Sequence, residues 1–377
     1  MHNKYIKFNI PYDTKSSKKN ILKVLKNKKF ADGEFQKKCQ LFIQNKINSK
    51  CVELTHSCSS ALEIAMLLIN LKKNDEVIMP SYTFTSTANA VLLSGGKPVF
   101  VDVRSDDINL DPKLVEKKIN KKTKAIIVVH YAGNSCDMSY FLKLKKKHKI
   151  YLIEDAAHSF LGKYKDKYLG TIGDFGAFSF HETKNFVGGQ CGALSINNIK
   201  FRKQAKIILD KGTDRSLLNN KKKYYSWKGI GSEYRATELS SALLFGQLSK
   251  YNYIQKSRER IWNIYFKKFK KNSDKNFYIL KNNTKFKASA HHVFILIFKS
   301  LNLRNKFIIY MKQQGIECFF HYYPLHMSNF GKKIKKIKLP VTEKIYKGLV
   351  RLPLYPSLKL NQINRIIKFS KKFVNSI

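Results

Sequence analysis

Acidic residues are scarce in this chain of 377 residues. Aspartate and glutamate number 26 against 72 lysines and arginines, which gives a formal net charge of +46 at pH 7. Such an excess favours binding to nucleic acid. Only nine of the basic residues are arginine, the residue best suited to nucleic-acid recognition, and no helix-turn-helix, RRM or zinc-finger pattern is present. The lysines are spread along the whole chain, as expected from a genome rich in A/T codons, and we expect no nucleic-acid partner.

Other common features are absent as well. The six cysteines form no CxxC pair and no regular spacing, which is typical of a reducing cytosol rather than of a disulfide framework. No run of about 18 apolar residues is present, so we expect no membrane span. The first residues lack the apolar core of a signal peptide. These features predict a cytoplasmic protein without a metal site.

Short β-branched segments alternate with helical segments between about residues 50 and 200. Examples are the predicted strand Ala125–Val129, the predicted helix Met138–His148 and the predicted strand Tyr151–Glu154. This alternation predicts an α/β fold in which a mostly parallel sheet is flanked by helices. Active sites in such sheets lie at the carboxyl ends of the strands.

The pattern of predicted helices and strands changes towards the C-terminus. Residues 234–271 predict one long helix or a bent pair of helices. They are followed by a predicted strand, Val293–Ile297, and a predicted helix, Arg304–Gln314. We therefore predict a large domain over residues 1–274 and a smaller α+β domain over residues 275–377.

A carboxylate and a lysine follow two apolar segments in the centre of the chain. Asp155 ends the predicted strand, and Lys184 lies in a loop after the next apolar stretch. Pyridoxal 5′-phosphate chemistry requires a lysine amine that binds the cofactor and a carboxylate that keeps the pyridine nitrogen protonated. In a chain so rich in lysine neither residue is diagnostic alone, and the surrounding sequence has to support the interpretation.

Two further segments suit a phosphorylated, flat cofactor. Ser57, Cys58 and Ser59 follow a strand and open a helix, where unpaired N–H groups and hydroxyls can bind a phosphate. Taken by itself, this turn is better explained as an ordinary serine N-cap. Phe84 follows the end of another strand, where it could stack on a ring or pack in the core.

Taken in order, these segments resemble the DegT/StrS family of sugar-nucleotide aminotransferases, and the resemblance covers nearly the whole chain. The segments that carry it are Pro80 to Ala90, Val101 to Val103, Val129 to Gly133, Glu154 to His158, Phe178 to Asn185, Lys211 to Ser216, His321 to His326 and Leu352 to Tyr355. Members are fold-type-I enzymes that use pyridoxal 5′-phosphate. The resemblance implies that fold, with a large cofactor-binding domain and a smaller C-terminal one.

The resemblance also implies roles for individual residues. Lys184 forms the Schiff base with the cofactor and moves the proton during transamination, and Asp155 pairs with the pyridinium nitrogen. Phe84 matches the aromatic residue that stacks on the ring. The other implied cofactor contacts are Ser57, Cys58, Ser59, Ser179 and His158.

Substrate contacts are implied at His321, Tyr322, His326 and Arg215. Within the family, the segments look most like the dTDP-4-amino-4,6-dideoxygalactose transaminase branch, which aminates dTDP-4-oxo-6-deoxy-D-glucose with glutamate for surface glycans such as enterobacterial common antigen. Because fold-type-I enzymes of this kind build each site from two subunits, the resemblance implies a homodimer.

The sequence departs from the family pattern at two places. Gln190 stands where a glutamate is common, and Glu233 stands where many members have an asparagine that reaches the partner subunit's phosphate. A carboxylate there would repel a phosphate, so we expect Glu233 to point elsewhere. A 3-aminotransferase, an enzyme for a UDP-linked sugar and a cofactor-binding pseudo-enzyme therefore stay open as alternatives.

Overall fold

A computed structural model describes residues 5–218, 224–270, 277–280 and 288–376. The strands of these residues are β1 (Val52–Thr55), β2 (Glu76–Pro80), β3 (Lys97–Val101), β4 (Thr123–Val129), β5 (Tyr151–Asp155), β6 (Lys163–Tyr164), β7 (Lys167–Tyr168), β8 (Phe175–Ser179), β9 (Gly192–Ile196), β10 (Phe277–Ile279), β11 (Phe294–Phe298) and β12 (Leu349–Leu352). The helices are α1 (Lys15–Asn27), α2 (Glu34–Lys46), α3 (Cys58–Leu68), α4 (Thr85–Leu93), α5 (Pro112–Glu116), α6 (Met138–His148), α7 (Arg202–Leu209), α8 (Glu238–Leu248), α9 (Tyr251–Phe269), α10 (Leu301–Gln313), α11 (Asn329–Ile334), α12 (Pro340–Gly348) and α13 (Leu360–Asn375).

The main sheet has seven strands in the order β1-β9-β8-β5-β4-β2-β3. The pairs from β8 to β3 are parallel, whereas β9 runs antiparallel to both β8 and β1. The predicted α/β layer with a mostly parallel sheet is therefore confirmed. The reversed direction of β9 is a feature that the alternation of strands and helices did not predict.

Side-chain alternation in the central strand explains why helices cover both faces of the sheet. In β4, Ala125 and Ile127 pack with α3 and α4 on one face, whereas Ile126 and Val128 pack with α6 on the other. All four side chains are fully buried. A strand that is apolar on both faces needs such cover, and the near-continuous Ile/Val run is the sequence signature of that position.

Strands β1, β2, β4, β5 and β8 end at one edge of the sheet. Asp155, the last residue of β5, lies opposite Val129 of β4 and Ala177 of β8. The antiparallel β9 begins at this edge, where Gly192 lies opposite Thr55 of β1 and Ser179 of β8. The loops that follow these strands therefore converge, as expected for the site of an open α/β sheet.

A smaller antiparallel sheet, in the order β10-β11-β12, forms the C-terminal region together with α10, α12 and α13. Its core also includes Ile6 from the N-terminal segment and Trp262 and Tyr265 from α9. The predicted long helical segment is a bent pair, α8 and α9. The predicted boundary between residues 274 and 275 lies outside the described residues, and the division into 1–274 and 275–377 stays a prediction.

Hydrogen bonds of Asp102 join the large region to helix α12 of the C-terminal region. Asp102, just after β3, accepts bonds of 2.9 Å from the backbone N–H of Val341 and 2.8 Å from that of Thr342. These N–H groups belong to the first turn of α12, where no helical acceptor exists. A buried carboxylate of the large region thus caps a helix of the small one.

Among residues 5–218, 224–270, 277–280 and 288–376, no helix has both the length and the apolarity needed to cross a bilayer. The same residues contain no group of three or more histidine, cysteine, aspartate or glutamate side chains that could hold a metal ion.

Candidate active site

A cavity of about 710 Å³ opens at the carboxyl ends of the strands, between the main sheet and the C-terminal region. It is lined by all eight of the side chains predicted to contact the cofactor: Ser57, Cys58, Ser59, Phe84, Asp155, His158, Ser179 and Lys184. These residues come from four segments, which lie at or after the ends of β1, β2, β5 and β8. The fold therefore brings together side chains that are more than a hundred residues apart in sequence.

Asp155 is buried at the end of β5, with 5% of its surface exposed. Its Oδ2 accepts a hydrogen bond of 2.8 Å from the Thr87 hydroxyl, and its Oδ1 accepts one of 3.2 Å from the Ala157 N–H. Burial raises the pKa of Asp155, and these two bonds oppose the rise because they favour the charged form. The carboxylate is thus held in one orientation and faces the cavity.

Lys184 lies in the loop between β8 and β9, and its side chain is partly buried against the cavity. Burial lowers the pKa of Lys184 from 10.5 to about 8. The next residue fixes the loop, because Asn185 donates a hydrogen bond of 2.7 Å to the Ala290 carbonyl and its Oδ1 lies 2.9 Å from Nδ1 of His292. The amine is therefore presented on a loop that is fastened to the C-terminal region.

The turn from β1 into α3 has the features of an anion site. Ser57 is the N-cap of α3, and its hydroxyl accepts a hydrogen bond of 3.1 Å from the Ser60 N–H. The N–H groups of Cys58 and Ser59 begin the helix, where they have no helical acceptor. Gly192 of β9 lies against this turn so closely that a Cβ atom there would be 2.4 Å from the carbonyl carbon of Ser57.

Phe84 and His158 both line the cavity. Phe84 is 58% exposed although it is aromatic, so it has a ring face available to a flat ligand. His158 is buried, and burial lowers its pKa well below 6.5. Its Nε2 lies 3.1 Å from the Tyr322 hydroxyl, whereas its Nδ1 is buried without a partner among the described residues.

The predicted substrate residues divide into two pairs. His321 and Tyr322 line the cavity. His326 does not: its Nδ1 lies 2.7 Å from the Ser81 hydroxyl and its Nε2 lies 3.3 Å from Glu343, so it joins the two regions. Arg215 also lies elsewhere, in an ion pair with Asp210 at 2.9 Å. The substrate roles of all four residues stay predictions.

The two departures from the family pattern also differ in position. Gln190 lines the cavity, at the end of the loop that carries Lys184. Glu233 does not line it, and its carboxylate forms an ion pair with Lys211. The expectation that Glu233 points away from the partner subunit's phosphate stays a prediction.

Sequence reasoning missed three polar residues around the cavity. Thr87 lies in the first turn of α4, and the sequence pattern does not reveal its bond to Asp155. His292 stacks on His158 with ring centroids 4.4 Å apart. Arg351 lines the cavity from β12. The last two belong to the C-terminal region, and no local signal marks them.

The model of the DegT/DnrJ/EryC1/StrS aminotransferase family matches residues 11–370. The chain belongs to this family. The match spans nearly the full length and confirms the resemblance that the ordered segments predicted.

Similar proteins of known name include two transaminases. The chain is 29% identical to UDP-4-amino-4,6-dideoxy-N-acetyl-beta-L-altrosamine transaminase of Campylobacter jejuni, over 95% of this chain and 93% of the relative. It is 30% identical to dTDP-3-amino-3,6-dideoxy-alpha-D-galactopyranose transaminase of Aneurinibacillus thermoaerophilus, over 83% of each chain. These two relatives are named for different nucleotides.

Among solved structures, the fold is similar to that of PseC from Helicobacter pylori, an aminotransferase involved in the biosynthesis of pseudoaminic acid. The TM-score is 0.91 at 27% identity, and the similarity covers 99% of this chain and 100% of the other. The predicted fold class, a fold-type-I transferase with a smaller C-terminal region, is confirmed. This chain is a sugar aminotransferase of the DegT family.

Pyridoxal 5′-phosphate is the cofactor of this family, and the cavity fits it. The close approach of Gly192 to Ser57 leaves a helix N-terminus available for a phosphate. His158 lines the cavity, and its buried Nδ1 has no hydrogen-bond partner among the described residues. A carboxylate, a lysine and an exposed aromatic ring complete the set of groups that this cofactor requires.

Proposed function

We propose that this enzyme transfers the amino group of L-glutamate to the carbonyl carbon of a nucleotide-linked 4-oxo-6-deoxy sugar. The substrate that we favour is dTDP-4-oxo-6-deoxy-D-glucose, which would give dTDP-4-amino-4,6-dideoxy-D-galactose for a surface glycan. The observation that carries the proposal is one cavity that contains both Lys184 and Asp155 next to a phosphate-binding turn. Lys184 supplies the amine that transamination requires.

When bound, pyridoxal phosphate supplies an electron sink for the carbanion that forms at the reacting carbon. Asp155 would hold the proton on the pyridine nitrogen, since Thr87 and the Ala157 N–H fix its carboxylate. Phe84 would support the ring face. Hydroxyls and N–H groups of Ser57, Cys58, Ser59 and Ser179 would bind the phosphate.

Lys184 would move the proton at the reacting carbon. With a pKa of about 8, a substantial fraction of its amine is neutral near pH 7 to 8 and can accept a proton. A lysine with its ordinary pKa of 10.5 would be almost fully charged. The lowered pKa therefore matches the task of a general base that works near neutral pH.

Support for a nucleotide sugar comes from the two transaminases described above, which are named for UDP-linked and dTDP-linked sugars. Because their nucleotides differ, the preference for the dTDP-linked 4-oxo sugar rests on residues 80–91, 179–185 and 211–216, which resemble the dTDP-4-amino-4,6-dideoxygalactose transaminase branch. A UDP-linked 4-oxo sugar is the second candidate, favoured by the similarity to the Campylobacter jejuni enzyme.

We propose that the active protein is a homodimer. Residues 224–230 expose large apolar side chains, with Trp227 80% exposed and Ile230 77% exposed. Exposed apolar side chains that cluster in this way are typical of surfaces covered by a partner, and a second copy would bury them. Sedimentation of the active protein should give twice the mass of 43.8 kDa, and a monomer mass would contradict the assembly.

The function is tested by incubating the purified holoenzyme and L-glutamate with a panel of keto-sugar nucleotides. The panel contains dTDP-linked and UDP-linked 4-oxo-6-deoxy sugars and a dTDP-linked 3-oxo sugar, and products are identified by mass spectrometry. We expect amination of the dTDP-4-oxo sugar, and NMR should show an axial 4-amine. Lys184→Ala is the negative control, and exposed Lys203→Ala on α7 is the matched substitution that should keep activity.

Each other outcome points to a different function. Amination of the UDP-linked or the 3-oxo sugar alone would replace the proposed substrate and keep the reaction. A cofactor absorbance that responds to glutamate without amination of any sugar would require a different keto substrate. An absorbance that does not respond to glutamate would indicate the pseudo-enzyme.

A further inference from the structure

Arg351 is a mostly buried cation that has no carboxylate partner among the described residues. It lies in β12, and its guanidinium carbon is 4.7 Å from the centre of the Phe8 ring. One Nη2–H donates a hydrogen bond of 3.2 Å to the Phe320 carbonyl, but the buried Nε finds no acceptor in the described part of the chain. Its donors are thus incompletely used.

A small cavity of about 30 Å³ adjoins the main one beside this arginine. The two cavities share Lys184, His321 and Arg351, and the small one adds Arg258. None of the residues described around the small cavity is an aspartate or a glutamate. Burial lowers the pKa of His321 well below 6.5, so the positive charge here comes from the two guanidinium groups and the lysine.

The two arginines are not equally available to a ligand. Arg258 donates through Nε to the His291 carbonyl at 3.2 Å and through Nη2 to the His292 carbonyl. It therefore fastens α9 to the segment before β11. Burial without a carboxylate partner lowers the pKa of Arg258 to about 9, because burial disfavours the charged form. A nearby anion would stabilise that charge. Arg351 is therefore the arginine whose N–H donors are available to bind an anion.

Buried charges in proteins are normally paired, and a guanidinium matches a carboxylate through two parallel hydrogen bonds. An anionic ligand would therefore complete this corner of the cavity. The cofactor phosphate is an unsuitable candidate, because Ser57, Cys58, Ser59 and Ser179 line the main cavity but not the small one. The anions that the proposed reaction itself brings into the cavity are those of its substrates.

We propose that Arg351 binds the α-carboxylate of the amino donor and of the oxo acid that is formed from it. The reacting carbon of every substrate must lie at Lys184, and in an amino acid the α-carboxylate is attached to that carbon. In a 4-oxo sugar nucleotide the nearest phosphate is attached across the sugar ring, farther from the lysine. This inference rests on the proposed function, since it takes an α-amino acid as the donor.

The arrangement makes Arg351 a residue that distinguishes the two half-reactions. The donor brings a carboxylate to Arg351, whereas the reacting end of the sugar acceptor brings none. The tight packing of Arg351 against Phe8 and the Phe320 carbonyl keeps the guanidinium beside Lys184 for the first half-reaction. A change at Arg351 should then affect amino-acid chemistry and spare sugar chemistry.

Calorimetry on the pyridoxal-phosphate form of the enzyme tests the binding step, with 2-oxoglutarate as the probe. The oxo acid cannot exchange an amino group with this form, so affinity is measured without turnover. We expect Arg351→Gln to weaken 2-oxoglutarate binding about ten- to a hundredfold, the usual effect of losing hydrogen bonds to a charged group. Arg351→Lys should lie between, because it keeps the charge and loses the paired donors.

Arg260→Gln is the matched control, since Arg260 is exposed on α9 and should not change the affinity. Circular dichroism and the thermal midpoint show whether each variant is folded. If Arg351→Gln is unfolded, Arg351→Lys carries the test, and an affinity for 2-oxoglutarate equal to that of the parent would overturn the proposal. So would a variant that loses affinity for the sugar nucleotide alone, which would assign Arg351 to the diphosphate.

Single-turnover kinetics separate this inference from the proposed function. The glutamate half-reaction of Arg351→Gln should be slowed about ten- to a hundredfold, whereas the half-reaction with the amino-sugar nucleotide should be unchanged. If no sugar nucleotide reacts but 2-oxoglutarate binding depends on Arg351, the sugar assignment fails and the carboxylate site stands. If Arg351→Gln aminates sugars from glutamate at the parental rate, the carboxylate site fails and the function stands.

Discussion

The Thr87 hydroxyl donates a hydrogen bond of 2.8 Å to Oδ2 of Asp155. Thr87 lies in α4, whereas Asp155 ends β5, so the bond joins a helix and a strand end that both line the site. Because the Thr87 hydrogen is used on the carboxylate, the Thr83 hydroxyl at 2.8 Å must donate to Thr87. This chain of two hydroxyls orients the carboxylate and opposes the rise in pKa that burial causes.

Thr87→Val should therefore raise the pKa of Asp155 and loosen its orientation without changing the side-chain shape. We expect kcat to fall about two- to tenfold, the effect of one ordinary hydrogen bond, and the acidic limb of the cofactor's absorbance titration to move to higher pH. Thr85→Val, at an exposed position of the same helix, should leave both unchanged. A Thr87→Val enzyme with the parental pH profile would show that Thr87 only fills space.

Asp155→Asn should remove the negative charge and keep the shape. A neutral amide cannot hold the proton on the pyridine nitrogen, and we expect a loss of about 10²–10⁴ in rate. Single-turnover absorbance measurements of the glutamate half-reaction check this. A rate within a fewfold of the parent would mean that the carboxylate is structural.

Lys184→Met should stabilise the protein before the cofactor is added. The pKa of Lys184 is lowered from 10.5 to about 8 in the fold, so the fold disfavours the charged amine. Below pH 8 the amine is protonated in both the folded and the unfolded chain and the penalty is complete, on the order of 2–3 kcal/mol. Between pH 8 and 10.5 unfolding takes up a proton, so the folded parent gains stability as the pH rises.

Denaturant unfolding of the two cofactor-free proteins at pH 7 and pH 10 tests this difference. Lys184→Met should be more stable at pH 7, and the gap should narrow at pH 10. Lys203→Met on the exposed surface of α7 should change stability by no more than about 0.5 kcal/mol at either pH. The lowered pKa of Lys184 would be contradicted if the two proteins were equally stable at pH 7, or if their difference in stability were the same at pH 7 and pH 10.

Gly192→Ala should displace the phosphate-binding turn. A Cβ atom at Gly192 would be 2.4 Å from the carbonyl carbon of Ser57 and 2.5 Å from the N atom of Cys58, so the backbone must move. We expect weaker binding of pyridoxal phosphate, measured by titrating the cofactor-free protein. Gly229→Ala has nothing within 4 Å and serves as the control. Unchanged cofactor affinity in Gly192→Ala would exclude this turn as the phosphate site.

Predictions from periodicity succeeded where local pattern decides structure. The helix Met138–His148 begins and ends at the predicted residues, because apolar spacing and the Asp137 cap act within a few residues of each other. The helix predicted over Arg304–Gln314 begins three residues earlier, at Leu301, because the Ser300 side chain accepts a bond from the Leu303 N–H and caps it. That cap was overlooked in the sequence.

In the candidate site, too, residues marked by local sequence could be predicted and residues placed by distant contacts could not. Lys184 and Asp155 could be predicted because each lies in a short segment whose residue types match a chemical requirement. His326 and Arg215 were predicted to contact substrate from the resemblance to the family, and neither lines the cavity of this chain. Their hydrogen bonds and ion pairs join distant segments, such as Ser81 with His326, and such pairs cannot be read from local pattern.

The sequence by itself determined the α/β layer and the family, and it singled out Lys184 and Asp155, whose roles stay predictions. Each depends on hydrophobic periodicity or on residue types within a short segment. Only the tertiary structure decided the antiparallel direction of β9, the approach of Gly192 to the phosphate-binding turn and the placement of Arg351 beside Lys184. These depend on strand register and on packing between two sheets, which bring together residues more than a hundred positions apart.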